Sequence, residues 1–340
     1  KIDAHRVRTK NFYKIKRNNI TPYDMKVEDN IIKEIFNNLI KSSNYIKRRK
    51  LINNFNKKNS ILKKGISITP VKFGISFTTS HLNQAGALIH VYTDGSIHLN
   101  HGGVEMGQGL MIKIAQLTAK EFGVNINDIK ITSTNTEKIP NTSASAASAS
   151  TDLNGAAAIN AIDRIKNNLK NFIKTEYKYK ANKIIYKNNQ VIFGNTKISF
   201  KKLIAEAYMN RISLSSNGFY KTPKIHVNKK TLKGRPFLYF SYGAAVSEVI
   251  VDTLTGENKL TQVDILHDVG NSINPRIDIG QIEGGFTQGL GWLTTEEISW
   301  DNKGLIKTHS PSTYKIPTSS DLPEKFNVRI YETGINRENV

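Results

Sequence analysis

Between residues 87 and 121 three local signals follow one another with almost no spacer, and they restrict the fold more than any other stretch. Ala87-Leu88-Ile89-His90-Val91-Tyr92 reads as a strand, Thr93-Asp94-Gly95-Ser96 as a tight turn, and Ile97-His98-Leu99-Asn100 as the returning arm of a hairpin. A glycine-rich loop, Gly102-Gly103-Val104-Glu105-Met106-Gly107-Gln108-Gly109, comes next, and a helix follows from Leu110 to about Glu121. A hairpin that feeds a helix through glycines belongs neither to a helical bundle nor to an all-β sandwich. The fold class expected is α+β, with mixed sheets and helices.

The rest of the chain agrees. Ile31-Ile32, Ile35-Phe36 and Leu39-Ile40 fall at helical spacing, and a second helix is expected from Asn44 to Asn56. Residues 1–64 therefore read as helical and basic. At Gly65 the pattern changes to alternation, Ile66-Ser67-Ile68-Thr69-Pro70-Val71, and a domain break is expected there, giving segments 1–64 and 65–340. A strand near Ile129–Thr132 leads to a Ser/Ala-rich stretch from Asn141 to Ser150. Thr151 or Asp152 is the expected cap of a helix running toward Lys174. A hairpin around Asn188-Asn189 precedes a short helix. Strands are expected at Tyr239–Val251, Lys259–His267 and Phe326–Tyr331, and a glycine-rich approach to a helix at Gly280–Leu293. Gln288-Gly289-Leu290 echoes Gln108-Gly109-Leu110, and both are expected at a helix start.

Composition removes several functions. With no cysteine, the chain has no disulfide, no cysteine zinc site and no iron–sulfur cluster of its own. No run reaches the ~18–20 apolar residues of a membrane span. The ends carry neither a signal peptide nor stop chemistry, and both are read as cut. Net charge is +21, and residues 1–72 hold 19 Lys/Arg against 5 Asp/Glu. A nucleic-acid surface would use such charge. The excess of Lys, Asn and Ile throughout has a simpler source in an AT-rich genome, and no nucleic-acid motif accompanies it.

Glycines at a helix start let a backbone approach a ligand, and unpaired N–H groups there suit an anion. A neighbouring Gln offers a donor and an acceptor to a heterocycle edge or an oxo group. Neither Gln-Gly-Leu site fits the dinucleotide or P-loop pattern, so FAD, NAD and ATP are not expected on this chain. Composition alone reads residues 141–150 as a flexible linker. The histidines show no ligand spacing and read as structural or surface residues.

Longer motifs carry a resemblance. Phe73–Thr78, Leu82-Asn83-Gln84-Ala85-Gly86-Ala87, Val91–Ser96 and His101–Leu110 closely resemble the molybdopterin-binding part of the xanthine dehydrogenases, a molybdenum hydroxylase family. Pro140-Asn141-Thr142-Ser143, Asp152–Gly155, Gly218-Phe219-Tyr220, Tyr239–Gly243, Asp278–Gln281, Gln288–Gly291 and Pro311–Pro317 continue it in family order. The resemblance implies the cofactor-binding fold of the xanthine dehydrogenase and aldehyde oxidase type, incomplete at both ends. Residues 1–64 would be the helical end of a first subdomain and residues 65–340 a second. A pterin dithiolene would hold molybdenum with oxo, sulfido and hydroxyl ligands. A glutamate base would activate the hydroxyl for attack on an electron-poor purine carbon, with hydride passing to the sulfido ligand. Electrons would leave through 2Fe-2S clusters and FAD, on a partner domain or subunit, to NAD.

Carried over by position, Met106, Gly107 and Gln108 resemble the loop that contacts the pterin and its phosphate. Ala146, Ala147, Ser148 and Ser150 resemble the cofactor-facing loop, with the Ala147 backbone near the metal, which replaces the linker reading. Gln288 resembles a second cofactor-contacting glutamine. Phe77 resembles one of two rings that sandwich the purine, and Thr78 a hydrogen-bond partner of substrate. No catalytic residue is assigned. The family's glutamate lies in a Gly-Glu-Pro-Pro stretch expected beyond Val340, and the substrate Arg, the second Glu and the second ring are expected before Lys1. The resemblance further implies a cytoplasmic hetero-oligomer, a dimer of complexes, acting on xanthine or hypoxanthine, with no nucleic acid and no membrane. Three other readings remain at this point: an aldehyde-oxidase-like hydroxylase, a basic nucleic-acid-binding protein, and a subunit that has lost its activity.

Overall fold

The structure, a computed structural model, describes residues 2–139, 141–180 and 183–332. Pro140 of the Pro140–Ser143 motif, Lys1 and the terminal residues Arg337 to Val340 lie outside the described residues. Two compact units divide the chain. One contains residues 2–20, 27–73 and 240–332, and the other residues 21–26 and 74–239. At Gly65 a strand runs on without interruption, from Leu62 to Ile75.

The first unit opens with α1 (Ala4–Lys10), whose first turn donates the His5 N–H to Asp3. The next helix, α2 (Ile32–Ser42), buries Ile32, Ile35, Phe36 and Leu39, the spacing read from the sequence. After α3 (Tyr45–Lys58) comes β1 (Leu62–Ile75), which passes straight through Gly65.

In the second unit β2 (Gln84–Val91) and β3 (Ile97–His101) form the expected hairpin, with Ile89 opposite Leu99 and Val91 opposite Ile97. There follow α4 (Leu110–Phe122), β4 (Ile129–Ile131) and the long α5 (Ser150–Glu176). Three short strands, β5 (Ile185–Lys187), β6 (Gln190–Phe193) and β7 (Thr196–Ser199), make an antiparallel meander before α6 (Phe200–Met209). Then come β8 (Ser215–Lys221), β9 (His226–Val227) and β10 (Gly234–Arg235). The main sheet runs β4-β3-β2-β8, with β2 antiparallel to both neighbours and β4 parallel to β3. Strand alternation sends Ala85, Ala87, Ile89, Val91, Ile97 and Leu99 to one face, where they form a core with Ile114 of α4 and Ala157, Ala161 and Ile165 of α5.

The chain then returns to the first unit with β11 (Tyr239–Asp252), β12 (Asn258–His267), α7 (Pro275–Leu293) and β13 (Lys325–Ile330). Its sheet runs β1-β11-β12-β13. Arg48 of α3 reaches Glu248 at 2.9 Å and Asp264 at 2.7 Å, tying the helix to β11 and β12. Ile282, Phe286 and Leu290 of α7, four residues apart, pack with Leu260, Val263, Phe326 and Val328. One expectation fails here. Gln288-Gly289-Leu290 lies late in α7 and not at a helix start. Asn274 caps the helix by accepting the Ile277 N–H, and Pro275 occupies its first turn, so the start falls well before the glycines. No described helix is long and apolar enough to cross a membrane.

The position of α5 depends on one residue of the sheet. A Cβ on Gly218 would stand 2.0 Å from the Ala157 carbonyl oxygen and 2.6 Å from the Ala161 nitrogen. The glycine and the fully buried Ala157, Ala158 and Ala161 let helix and strand approach backbone to backbone. Backbone cannot rotate away as a side chain can. Gly218→Ala is expected to destabilise the protein by about 3 kcal/mol, read as a lower midpoint in urea unfolding. An unchanged midpoint would show that the contact is loose.

Candidate active site

The glycine-rich loop closes on itself around one carboxylate. Glu105 Oε1 accepts the N–H groups of Gly107 and Gly109, each at 2.9 Å, and Oε2 accepts the Met111 N–H at 2.9 Å. Burial opposes the charge on Glu105, but the N–H groups of Met111, Gly109, Gly107 and Leu110 outweigh it and hold the carboxyl below the usual carboxylate range. The anion at the start of α4 is therefore the chain's own. Gln108 is also engaged within the loop: its Oε1 accepts the Met106 N–H at 2.6 Å and its Nε2 donates to the Val104 carbonyl at 2.8 Å. One further amide hydrogen and one lone pair of Gln108 remain. The Met106 side chain is exposed, and open space surrounds Gly107.

The start of α5 is built differently. Residues 141–150 are not a linker: the Ser143 N–H donates to Gln84, and Ala146 and Ala149 donate within the segment to Ala144 and Ala146. Ala147 and Ser148 both adopt left-handed backbone, with φ of 54° each. Such a conformation costs an L residue roughly 1 kcal/mol, and two in succession mark a site where local comfort was given up for backbone direction. Ala149 is the cap residue, so no side chain takes the first N–H groups of this 27-residue helix. Thr151 and Asp152, the caps expected from sequence, lie one and two residues inside. Asp152 turns instead to the Tyr239 hydroxyl, which donates to it at 2.6 Å. Burial raises its carboxyl to about 6 against the help of that hydrogen bond.

A third segment, residues 76–83, carries Phe77, half-buried, and Thr78, exposed. Ser143 binds Gln84 directly after it, and the Val104 N–H donates to Ser145 Oγ at 2.7 Å. The segments bearing Phe77 and Thr78, Met106 to Gln108, and Ala146 to Ser150 thus meet in one unit. Beneath them lies a buried polar group. The His101 Nδ1 accepts the Gly103 N–H at 3.2 Å, which leaves the ring proton on Nε2. Burial lowers this imidazole to about 4, against the pull of Glu105, so it is neutral at pH 7. His101 Nε2, Thr142 Oγ1 and Asn154 Oδ1 are buried without a protein partner. Gln288 is exposed on α7 in the first unit, on the side away from Phe286. Among the described residues no three His, Cys, Asp or Glu side chains form a metal cluster.

Residues 38–323 match the molybdopterin cofactor-binding domain family. The chain belongs to that family. Among its relatives, the xanthine dehydrogenase of Dictyostelium discoideum is 44% identical over 332 residues, covering 97% of this chain and 23% of the relative. The xanthine dehydrogenase/oxidase of Gallus gallus is 45% identical over 311 residues, 92% of this chain and 22% of the relative. The chain spans about a quarter of the length of these relatives. Among solved structures, the Cu,Mo-CO dehydrogenase in its carbon monoxide reduced state superposes with a TM-score of 0.83 at 21% identity, over 97% of this chain and 42% of that chain. The aldehyde oxidoreductase from Desulfovibrio desulfuricans gives 0.78 at 20% identity, over 98% and 33%. These two share the fold of a molybdopterin cofactor-binding domain.

Sequence reasoning found the loops of this domain but not the residues that shape them. Glu105 was inside the quoted motif, and its place five residues before a helix start was the available signal. Asp152 and Tyr239 are 87 residues apart, and no local pattern joins them. Asp152 carries a pH dependence. A carboxyl raised in the folded state favours folding when protonated, so its contribution is complete below about pH 4 and is lost as pH rises through about 6. Asp152→Asn stays neutral. It should gain stability over the natural protein between pH 4 and pH 7.5, by up to about 3 kcal/mol. Urea unfolding at the two pH values measures this, and an equal difference at both would refute it.

Proposed function

We propose that the chain is the molybdopterin-binding portion of a xanthine dehydrogenase, an oxidoreductase that hydroxylates hypoxanthine and xanthine to urate with oxygen from water. The observation that carries the cofactor reading is the contrast between two helix starts. Glu105 fills that of α4, whereas that of α5 presents uncapped N–H groups behind a loop of small residues in left-handed backbone. An anionic pterin needs donors that no carboxylate has already taken, and close backbone approach; the one carboxylate in the first turn of α5, Asp152, is turned to Tyr239. The buried unpartnered atoms of His101, Thr142 and Asn154 add polar capacity under the same loops. These residues fit the group. The likeness of this chain, along nearly its whole length, to about a quarter of proteins named xanthine dehydrogenase supports the choice of purine.

When bound, the cofactor supplies the molybdenum centre at which a ring carbon of the purine is oxidised. The protein's part is positioning. Ala147, Ser148 and Ser150 would offer backbone N–H groups and hydroxyls to it, with Ala146 beside them as a small side chain whose own N–H is held by Ala144. Met106, Gly107 and Gln108 would line it from the α4 side, Gln108 through its remaining amide hydrogen and lone pair. Phe77 stacks on the purine and Thr78 hydrogen-bonds to it. The general base is a glutamate of a Gly-Glu-Pro-Pro stretch, which residues 1–340 do not contain. Electrons leave through 2Fe-2S and FAD carried by a partner domain or subunit to NAD, in a cytoplasmic assembly paired as a dimer of complexes.

Co-expression with the iron–sulfur and FAD partner, followed by metal analysis and a xanthine-dependent NAD reduction assay, tests this reading. The expected outcome is about one molybdenum per chain with turnover, and no urate from residues 1–340 alone. Absence of molybdenum would overturn the cofactor reading. Molybdenum without xanthine turnover would overturn the purine reading and leave another heterocycle or an aldehyde.

A further inference from the structure

The segment that carries Phe77 and Thr78 is held by a side chain to which neither the family match nor the proposed function gives a role. Asn83 is 2% exposed. Its Oδ1 accepts the Phe77 N–H at 2.7 Å, and its Nδ2 donates to the Phe77 carbonyl at 2.9 Å, with the Thr79 and Ser80 carbonyls at 3.2 and 3.3 Å. One amide thus takes both backbone groups of Phe77, as a neighbouring strand would. Asn83 itself is fixed by its own backbone: its carbonyl accepts the Thr222 N–H beyond β8 at 3.0 Å, and its N–H donates to Ser80 at 3.1 Å. On the other side of Phe77, Leu238 donates to the Ile75 carbonyl at 3.1 Å and approaches Ser76 Oγ at 3.3 Å. Ser76 has a φ of 138°, so the chain turns sharply into Phe77.

Only an amide at this distance meets the demand. An acceptor and a donor must face the two backbone groups of one residue at once. Aspartate keeps the acceptor and sets a negative charge against three carbonyls. Glutamine is longer by a methylene, which shifts its amide from the distance at which Asn83 meets the Phe77 backbone. With both backbone groups of Phe77 held, the Cα–Cβ bond from which its ring projects has a fixed place and direction. That suits a wall whose plane must match a flat ligand.

We propose that Asn83 is the positioning residue for Phe77 and Thr78, setting the plane and height of the aromatic wall against the heterocyclic substrate. The inference rests on the reading of those two residues as substrate contacts. It predicts that loosening the clamp weakens substrate binding more than the chemical step, because the cofactor loop 146–150 is not part of it.

The test uses the holoenzyme with Asn83→Asp, Asn83→Ser and, separately, Phe77→Leu, each with molybdenum content, steady-state kinetics on xanthine and amide hydrogen exchange over residues 76–83. Asn83→Asp and Asn83→Ser should retain molybdenum, raise KM about tenfold, change kcat by less than about twofold and speed exchange at Phe77 by about tenfold or more. Phe77→Leu should raise KM without speeding that exchange. Faster exchange with unchanged KM in both Asn83 variants would make Asn83 merely structural and overturn the proposal, provided Phe77→Leu still raises KM. If Phe77→Leu leaves KM unchanged, the substrate reading falls and the proposal with it. Loss of molybdenum or of folding in both Asn83 variants would also overturn it, since its effect would then not be local.

Discussion

The carboxylate of Glu105 occupies the backbone donors at the start of α4, and on the proposed reading this decides where the anionic cofactor is received. Two helices of the second unit begin beside each other's loops, and both offer N–H groups and the positive end of a helix dipole. At α4 these donors converge on Glu105 and are spent. At α5 no side chain takes them. On the proposed reading the asymmetry leaves one anion site of the two, and the glycine-rich loop acts through Met106, Gly107 and the remaining capacity of Gln108. The seat of α5 on β8, set by Gly218 and the buried alanines, then places the open helix start. Ala147 and Ser148 aim the backbone ahead of it at a cost in local strain.

This arrangement also shows how the domain keeps charge in order. Of the ionisable groups around the loops, Glu105 is held ionised by backbone donors, His101 is neutral because it is buried, and Asp152 is near its own midpoint close to neutral pH. Each state follows from local burial and hydrogen bonding and not from the net charge of +21. In the first unit the same logic pairs Arg48 with Glu248 and Asp264, so a basic chain places its acidic residues where a cation needs a fixed partner.

What could be read from sequence was what depends on neighbours in sequence. The β2–β3 hairpin, the apolar face of α2 and the β11–β12 pair follow from periods of two and 3.6 and from turn residues, and the family motifs gave the loops of the site. The misreadings have a common cause in distant contacts. The glycines of Gly280–Leu293 suggested a loop, yet Ile282, Phe286 and Leu290 bury enough surface to carry a glycine-rich helix through them. Small residues at 141–150 suggested a linker, although Gln84 and Val104 hold them from other elements. Asp152 looked like a cap until Tyr239 claimed it.

On the proposed reading the start of α5, and not that of α4, receives the anionic cofactor. Amide hydrogen exchange compared between the cofactor-free and molybdenum-loaded protein tests this directly. Strong added protection is expected at residues 147–152 on loading, with little change around Gly107, Gly109 and Met111, whose N–H groups Glu105 already holds. Added protection at residues 107–111 with none at residues 147–152 would contradict it.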